Sequence, residues 1–277
     1  MAIAPDQRVN VRPLQESDLD VADRVLRLAF GTFVGLPDPL QMFGDSDYVY
    51  TRWRSDPASS IAAEVEGELV GSNFVANWGS VGFFGPLSVR PDLWDRGIAK
   101  RLLEATLDIF TAWGTRHAGL FTWAHSPKHL GLYQRFGFWP RFLTPILWRP
   151  LDPSQGPSPT FSQHSRSAET QRAAALEACA ELTEDVFEGL DLRGEIQAVT
   201  AHALGDTLLV DDSAGLAAFA VCHVGARTEA GSGTCYVKFA AARPGPDADR
   251  RFHALLDACE SFAASLGATR LAAGVNT

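Results

Sequence analysis

The sequence has little that would commit it to a membrane, to nucleic acid or to an oxidising compartment. Its 277 residues include four cysteines, Cys179, Cys222, Cys235 and Cys259, none in a Cys-x-x-Cys spacing. That scatter argues against a disulfide framework and leads us to expect reduced, buried thiols in a cytoplasmic protein. Basic residues are in deficit, with 24 Lys and Arg against 33 Asp and Glu and a net charge of −9. Such a balance disfavours nucleic acid as a partner, and mildly favours a cationic one. No apolar run is long enough to span a membrane, and the start, Met1 to Asp6, lacks the basic and apolar regions of a signal peptide. A metal is not expected either. His125 and His129 are four apart, but Pro127 lies between them and no carboxylate completes a ligand set.

What the chain does contain is 46% hydrophobic residues, enough for globular cores, in a length that suggests two domains. Val9 to Arg12 reads as a short strand. Ser17-Asp18 caps a helix carrying Val21, Val25, Leu26, Leu28 and Ala29. Phe30 to Tyr50 reads as a loop whose acids, Asp38, Asp45 and Asp47, could meet a cationic substrate. Ile61 to Val65 and Leu69 to Val75 form a hairpin about Glu66-Gly67-Glu68, and Trp78-Gly79-Ser80 turns into a third antiparallel strand.

That third strand leads into the most informative stretch, Phe84 to Arg101. Leu87, Ser88 and Val89 are strand residues, and Pro91 ends the ladder because it has no N–H to give. A helix starts near Gly97, with Ile98, Leu102, Ala105 and Ile109 on one stripe. Its first N–H groups, over Asp95 to Ala99, lack intrahelical partners and sit at the positive end of the dipole, so they attract an anion. Gly97 and Ala99 are small enough to let a pyrophosphate reach that backbone. The helix stops at Gly114, and Ala118 to Trp123 returns as a strand. A crossover of this length implies a parallel pair. Ser126-Pro127 then opens a second helix, which carries His129 and Tyr133 and ends at Arg135-Phe136-Gly137-Phe138. Phe142 to Trp148 is read as one or two strands that close the sheet.

Val89-x-Pro91, Gly97-Ile98-Ala99 and the ending Tyr133 to Phe138 together resemble the GCN5-related N-acetyltransferases (GNAT). Trp94 departs from the pattern, standing where the family has Gln or Arg. The resemblance covers roughly residues 8 to 150. It implies an α/β (α+β) GNAT fold, a mixed and mostly antiparallel sheet flanked by helices. It implies acetyl-CoA as co-substrate, held by Leu87, Ser88, Val89, Trp94, Asp95, Arg96, Gly97, Ile98, Ala99 and Lys100. It also implies transfer of the acetyl group to a primary amine of a small molecule or peptide. Tyr133 sits at the family's position for the acid that protonates the departing thiolate. The base is open between His125, at the end of the returning strand, and Glu64, on a neighbouring strand. The alternative is a non-catalytic acyl-CoA sensor with the same fold. The acceptor is not specified by sequence, and a homodimer is allowed.

The domains are expected at 1–149 and 168–277, joined by a linker over 150–167 rich in Pro, Ser and Gly. The second half repeats the first in outline: a helix over Ala168 to Glu188, a hairpin through Leu208 to Val221, a strand from Cys235 to Ala240, then Pro244 and a helix ending at Gly267. Pro91 to Gly114 and Pro244 to Gly267 are equally spaced, which suggests an internal duplication. Arg250 and Phe252 fall where Gly97 and Ala99 stood. The second half therefore reads as a degenerate, truncated GNAT-like domain that binds no CoA.

Overall fold

The computed structural model describes residues 9–151 and 160–275. The centre of the expected linker, 152–159, lies outside the described residues, as does the extreme N-terminus. The chain divides into two compact units. The first runs to Gly44 and includes Tyr48–Asn77 and Val81–Leu143; the second comprises Asp45–Asp47, Trp78–Ser80 and 144 onward.

In the first unit the elements are β1 (Val9–Pro13), α1 (Leu19–Val34), α2 (Val49–Ser55), β2 (Ser60–Val65), β3 (Glu68–Trp78), β4 (Val81–Phe84), β5 (Ser88–Val89), α3 (Ile98–Trp113), β6 (His117–Gly119) and α4 (Pro127–Gln134). The sheet order is β1-β2-β3-β4-β6, with β5 also on β3. Pairs β1/β2, β2/β3 and β3/β5 are antiparallel, and β4/β6 is parallel, as the crossover requires. The alternation of β2 and β3 sends side chains to both faces. Leu19, Ala22, Val25 and Leu26 of α1 pack with Ala62 and Phe74 on one face. Ile98 and Leu102 of α3 pack with Ile61, Ala63 and Val70 on the other. Both helices end where a glycine turns left-handed, Gly35 (φ 74°) and Gly114 (φ 68°).

Three local readings differ from the structure. Part of the Phe30–Tyr50 loop is helical: α1 continues to Val34, and α2 begins at Val49. A helix as short as α2 carries too few turns to show a period. The returning strand pairs only over His117–Gly119, and Leu120 to Trp123 leaves the ladder. The expected closing segment, Phe142 to Trp148, is a strand only from Ile146, and that strand, Ile146–Pro150 (β7), belongs to the other sheet, where it pairs antiparallel with Arg270–Gly274.

The second unit continues with β8 (Ser162–Gln163), α5 (Glu169–Val186), α6 (Arg193–Ala201), β9 (Gly205–Asp212), β10 (Gly215–Gly225), β11 (Gly231–Ala242), α7 (Ala248–Ser265) and β12 (Arg270–Gly274). Its sheet runs β7-β12-β11-β10-β9-β8. The β11–α7–β12 crossover is parallel and repeats the topology of β4–α3–β6. The helix starts differ: Ile98 follows Pro91 by seven residues, Ala248 follows Pro244 by four. Arg250 and Phe252 therefore lie inside α7. The residue before the helix is Asp247, with Asp249 in its first turn, so acids stand where an anion would dock. The four thiols are free and buried.

Lys238 is the extra residue of a β-bulge in β11, between positions opposite Val221 and Cys222. Its ammonium lies 2.6 Å from Glu195 and 3.1 Å from Glu229, all three side chains being buried. Removing one member of a buried ionic cluster leaves the others uncompensated. Lys238→Met should therefore lower unfolding stability by about 3–5 kcal/mol in a urea titration. At the crossing of β3 and β5, a methyl group on Gly71 would stand 2.7 Å from the Ser88 carbonyl oxygen, a backbone atom. Gly71→Ala should cost about 1–3 kcal/mol by the same measurement, because β5 must shift to make room.

Candidate active site

The chain from β4 to β5 is one strand broken at Gly85-Pro86-Leu87. Pro86 has no N–H for a ladder, and Gly85 adopts φ 129°. Gly85 stays anchored at both backbone groups: its N–H donates to Phe74 (2.8 Å), and its carbonyl accepts from Arg52 Nη1 (2.6 Å). Beyond the break, Arg90 N–H donates to Val70 O at 2.8 Å, with Ser88 opposite Ser72 and Val89 opposite Gly71. In an antiparallel pair the bonded residues alternate, so Val89 and Leu87 turn their backbone groups away from β3. On the far side Leu120–Trp123 has left the parallel ladder. The two segments thus face each other across a gap in the sheet.

That gap is a cleft of about 870 Å³ inside the first unit. Its wall includes Leu87, Ser88, Val89, Trp94, Asp95, Gly97, Ile98, Ala99, Lys100 and Tyr133, so one cavity gathers most residues singled out from sequence. Arg96, His125 and Glu64 are not in the wall. Gly97 precedes α3 with φ 82°, and a Cβ built on it meets nothing within 4 Å. The glycine is required by its backbone angle, and the space in front of the helix start is open. The N–H groups of the first turn point there, so an anion fits.

Trp94 has a definite job in place of Gln or Arg. Its indole Nε1–H donates to the Val89 carbonyl at 2.7 Å. Lys128, in the first turn of α4, lies 5.3 Å from the Trp94 ring centre and 2.8 Å from the Asp95 carboxylate. The cation therefore bridges the starts of α3 and α4.

Tyr133 packs against Phe84, ring centres 5.9 Å apart, and burial pushes its hydroxyl up to about 12. It is a phenol that keeps its proton at neutral pH. Glu64 is a correction to the sequence reading. It forms an ion pair with Arg12 at 2.7 Å and accepts from Asn10 at 3.2 Å. Arg12 first, then Asn10, hold its carboxylate below the usual range, which makes it a poor proton acceptor. His125 rests against Phe33 and Trp123, ring centres 6.1 and 5.9 Å away, outside the wall. None of the three loop acids lines the cleft. The Asp38 carboxylate accepts from Leu40 N–H at 3.1 Å, and that of Asp45 from Ser232 N–H at 2.9 Å.

The residue that sequence reasoning passed over is His129. It does line the cleft, one helical turn before Tyr133 and on the same face of α4. Its ring centre is 4.7 Å from that of Phe33, and Nδ1 is buried without a hydrogen-bond partner. Burial, then Lys128 and His125, lowers its pKa, so the imidazole is neutral at pH 7. The i, i+4 spacing to Tyr133 was visible in the sequence; the burial was not.

The model of the acetyltransferase (GNAT) family matches residues 27–138, the span that holds this cleft. Among curated proteins no relative matches the chain. Among solved structures, a candidate acetyltransferase from Pyrococcus horikoshii is similar over 95% of this chain and 79% of its own, with TM-score 0.63 and 16% identity. A GCN5-related N-acetyltransferase from Sphaerobacter thermophilus aligns over 99% and 88%, with TM-score 0.56 and 14% identity. One from Anabaena variabilis ATCC 29413 aligns over 98% and 66%, with TM-score 0.53 and 13% identity. At such identities the likeness is one of fold. With the family match and the open parallel pair, it makes residues 27–138 a GNAT-family acetyltransferase domain with the GNAT fold.

Proposed function

We propose that this protein is an N-acetyltransferase that uses acetyl-CoA to acetylate a primary amine. The observation that carries the reading is the convergence, in one cleft, of an outward-facing strand edge, an open helix start and a protonated tyrosine. These suit the three parts of acetyl-CoA. The first turn of α3, from Gly97 to Lys100, would take the pyrophosphate. The outward backbone of Leu87 and Val89 would take the pantetheine arm. Tyr133 would face the sulfur.

Acetyl-CoA, when bound, supplies an acetyl group already activated as a thioester. The chain's own tasks are to place the amine, polarise the carbonyl and move two protons. The amine nitrogen bonds to the carbonyl carbon as the C–S bond breaks. A backbone N–H of the Leu87–Val89 edge stabilises the charge on oxygen. Tyr133 Oη gives its proton to the leaving sulfur. The imidazole of His129 accepts the proton lost by nitrogen, and exchange with solvent returns both side chains to their starting forms. Because Glu64 is locked on Arg12 and His125 lies outside the wall, His129 replaces both as the base.

Calorimetry should show one CoA per chain, since acids stand at the start of α7. Gly97→Glu should abolish that binding by adding charge and strain at the anion site. Tyr133→Phe should keep CoA affinity and lower kcat and kcat/KM together, by about 10²-fold at the lower end of general acid catalysis. Unchanged kcat with chemistry rate-limiting would remove Tyr133 from the mechanism.

The pH profile tests His129. Its pKa is lowered, so the base stays unprotonated as pH falls to 6.5 and is lost only beneath that. The acid limb of kcat/KM should therefore lie below 6.5, vanish in His129→Gln, and persist in His125→Ala. Tyr133 should impose no alkaline loss below about pH 10.

A further inference from the structure

The amine's side of the cleft is built differently from the cofactor's. It is contributed by α1, by the segment Leu120–Trp123 that left the sheet, and by the first turn of α4. Phe33 reaches from α1 to this wall, its ring centre 5.8 Å from Trp123 and 4.7 Å from His129. Trp123 keeps 36% of its surface exposed, and Phe121 beside it 69%, so aromatic faces remain open to a ligand. Phe121 is held in place by stacking on Phe83, ring centres 5.6 Å apart and planes within 10°.

Negative charge is scarce here. Among the described residues, Asp95 is the one acid in the cleft wall, and it belongs to the cofactor side, where Lys128 holds it at 2.8 Å. The loop acids that could have received a cation, Asp38, Asp45 and Asp47, are not in the wall. A polyamine or aminoglycoside would have to bring several ammonium groups out of water with no carboxylate to meet them. A flat ring loses little by the same transfer and gains aromatic contact. His129 lies on this side, and its neutral imidazole can accept a single N–H.

On the acetyltransferase reading above, we propose that the acceptor is an aryl or arylalkyl monoamine. Its ring lies against Phe33 and Trp123, and its amine donates to the imidazole of His129. Phe33 is then the specificity-determining residue of the acceptor site. The same step as above applies: the C–N bond forms, the C–S bond breaks, the sulfur takes the Tyr133 proton and His129 takes the proton from nitrogen.

The test uses the full chain, with tryptamine and spermidine as probes. Calorimetry is run for each amine with and without saturating CoA, alongside thiol release from acetyl-CoA. Tryptamine should bind more tightly and show kcat/KM higher by about 10-fold or more. Phe33→Ala should raise KM for tryptamine about 10- to 100-fold while CoA affinity holds, which also shows that the variant is folded. Phe33→Tyr should restore most of the loss. Tighter binding or faster acetylation of spermidine overturns the proposal, as does CoA binding with no tryptamine binding, or Phe33→Ala with an unchanged KM. Absence of CoA binding would instead refute the acetyltransferase reading. The amine titrations without CoA would then still decide the acceptor class.

Discussion

The site depends on a parallel strand pair that stops pairing too early. β4 and β6 share a ladder only from Val81 to Phe83 against His117 to Gly119. Backbone N–H and C=O groups are obligatory hydrogen-bonding groups, so strands that separate must find other partners or face a ligand. On one side the chain breaks at Gly85-Pro86, shifts, and rejoins β3 through Ser88 and Arg90. On the other it runs free through Leu120–Trp123 until Ser126 caps α4. The cleft is the space between these paths. A side chain inserted at Gly71 or Gly97 would disturb it from the two ends, one through packing and the other through backbone angle.

Electrostatics then divides the cleft. The start of α3 offers backbone donors and a positive dipole end, with Lys128 poised between Asp95 and the Trp94 face. The opposite wall is aromatic, and burial keeps the imidazole of His129 there neutral. Tyr133 lies deeper, where Phe84 and the surrounding core remove water and hold the hydroxyl in its acid form. Tyr133 and His129 thus differ in environment although they are only four residues apart on one helix. In the proposed mechanism that difference suits each to its own half of the transfer.

The second unit uses the same crossover without the break in the strand. β11 stays on β10 as far as Ala242, opposite Ala218, and the acids Asp247 and Asp249 occupy the helix start. Acids at a helix start oppose the docking of a phosphate there, so the shared topology alone does not make the same site.

Some of this was determined by sequence alone. The stripe from Ile98 to Ile109, the stop at Gly114, and Ser126-Pro127 before α4 are local events, decided by neighbours within a turn or two. So were the hairpins and the anion-attracting start of α3, which explains why most cleft residues were legible before any coordinates. Other matters needed the whole fold. Glu64 is a plausible base until Arg12, 52 positions away, is seen to hold it. The strand Ile146–Pro150 has no local mark to say which sheet it joins, because pairing is a long-range choice. Nothing near His129 in sequence announces that Phe33 covers its ring, since that contact joins two helices 96 positions apart. Residue type and spacing reveal what a segment can form. Tertiary packing alone decides which titratable groups are desolvated, and so which of them can work.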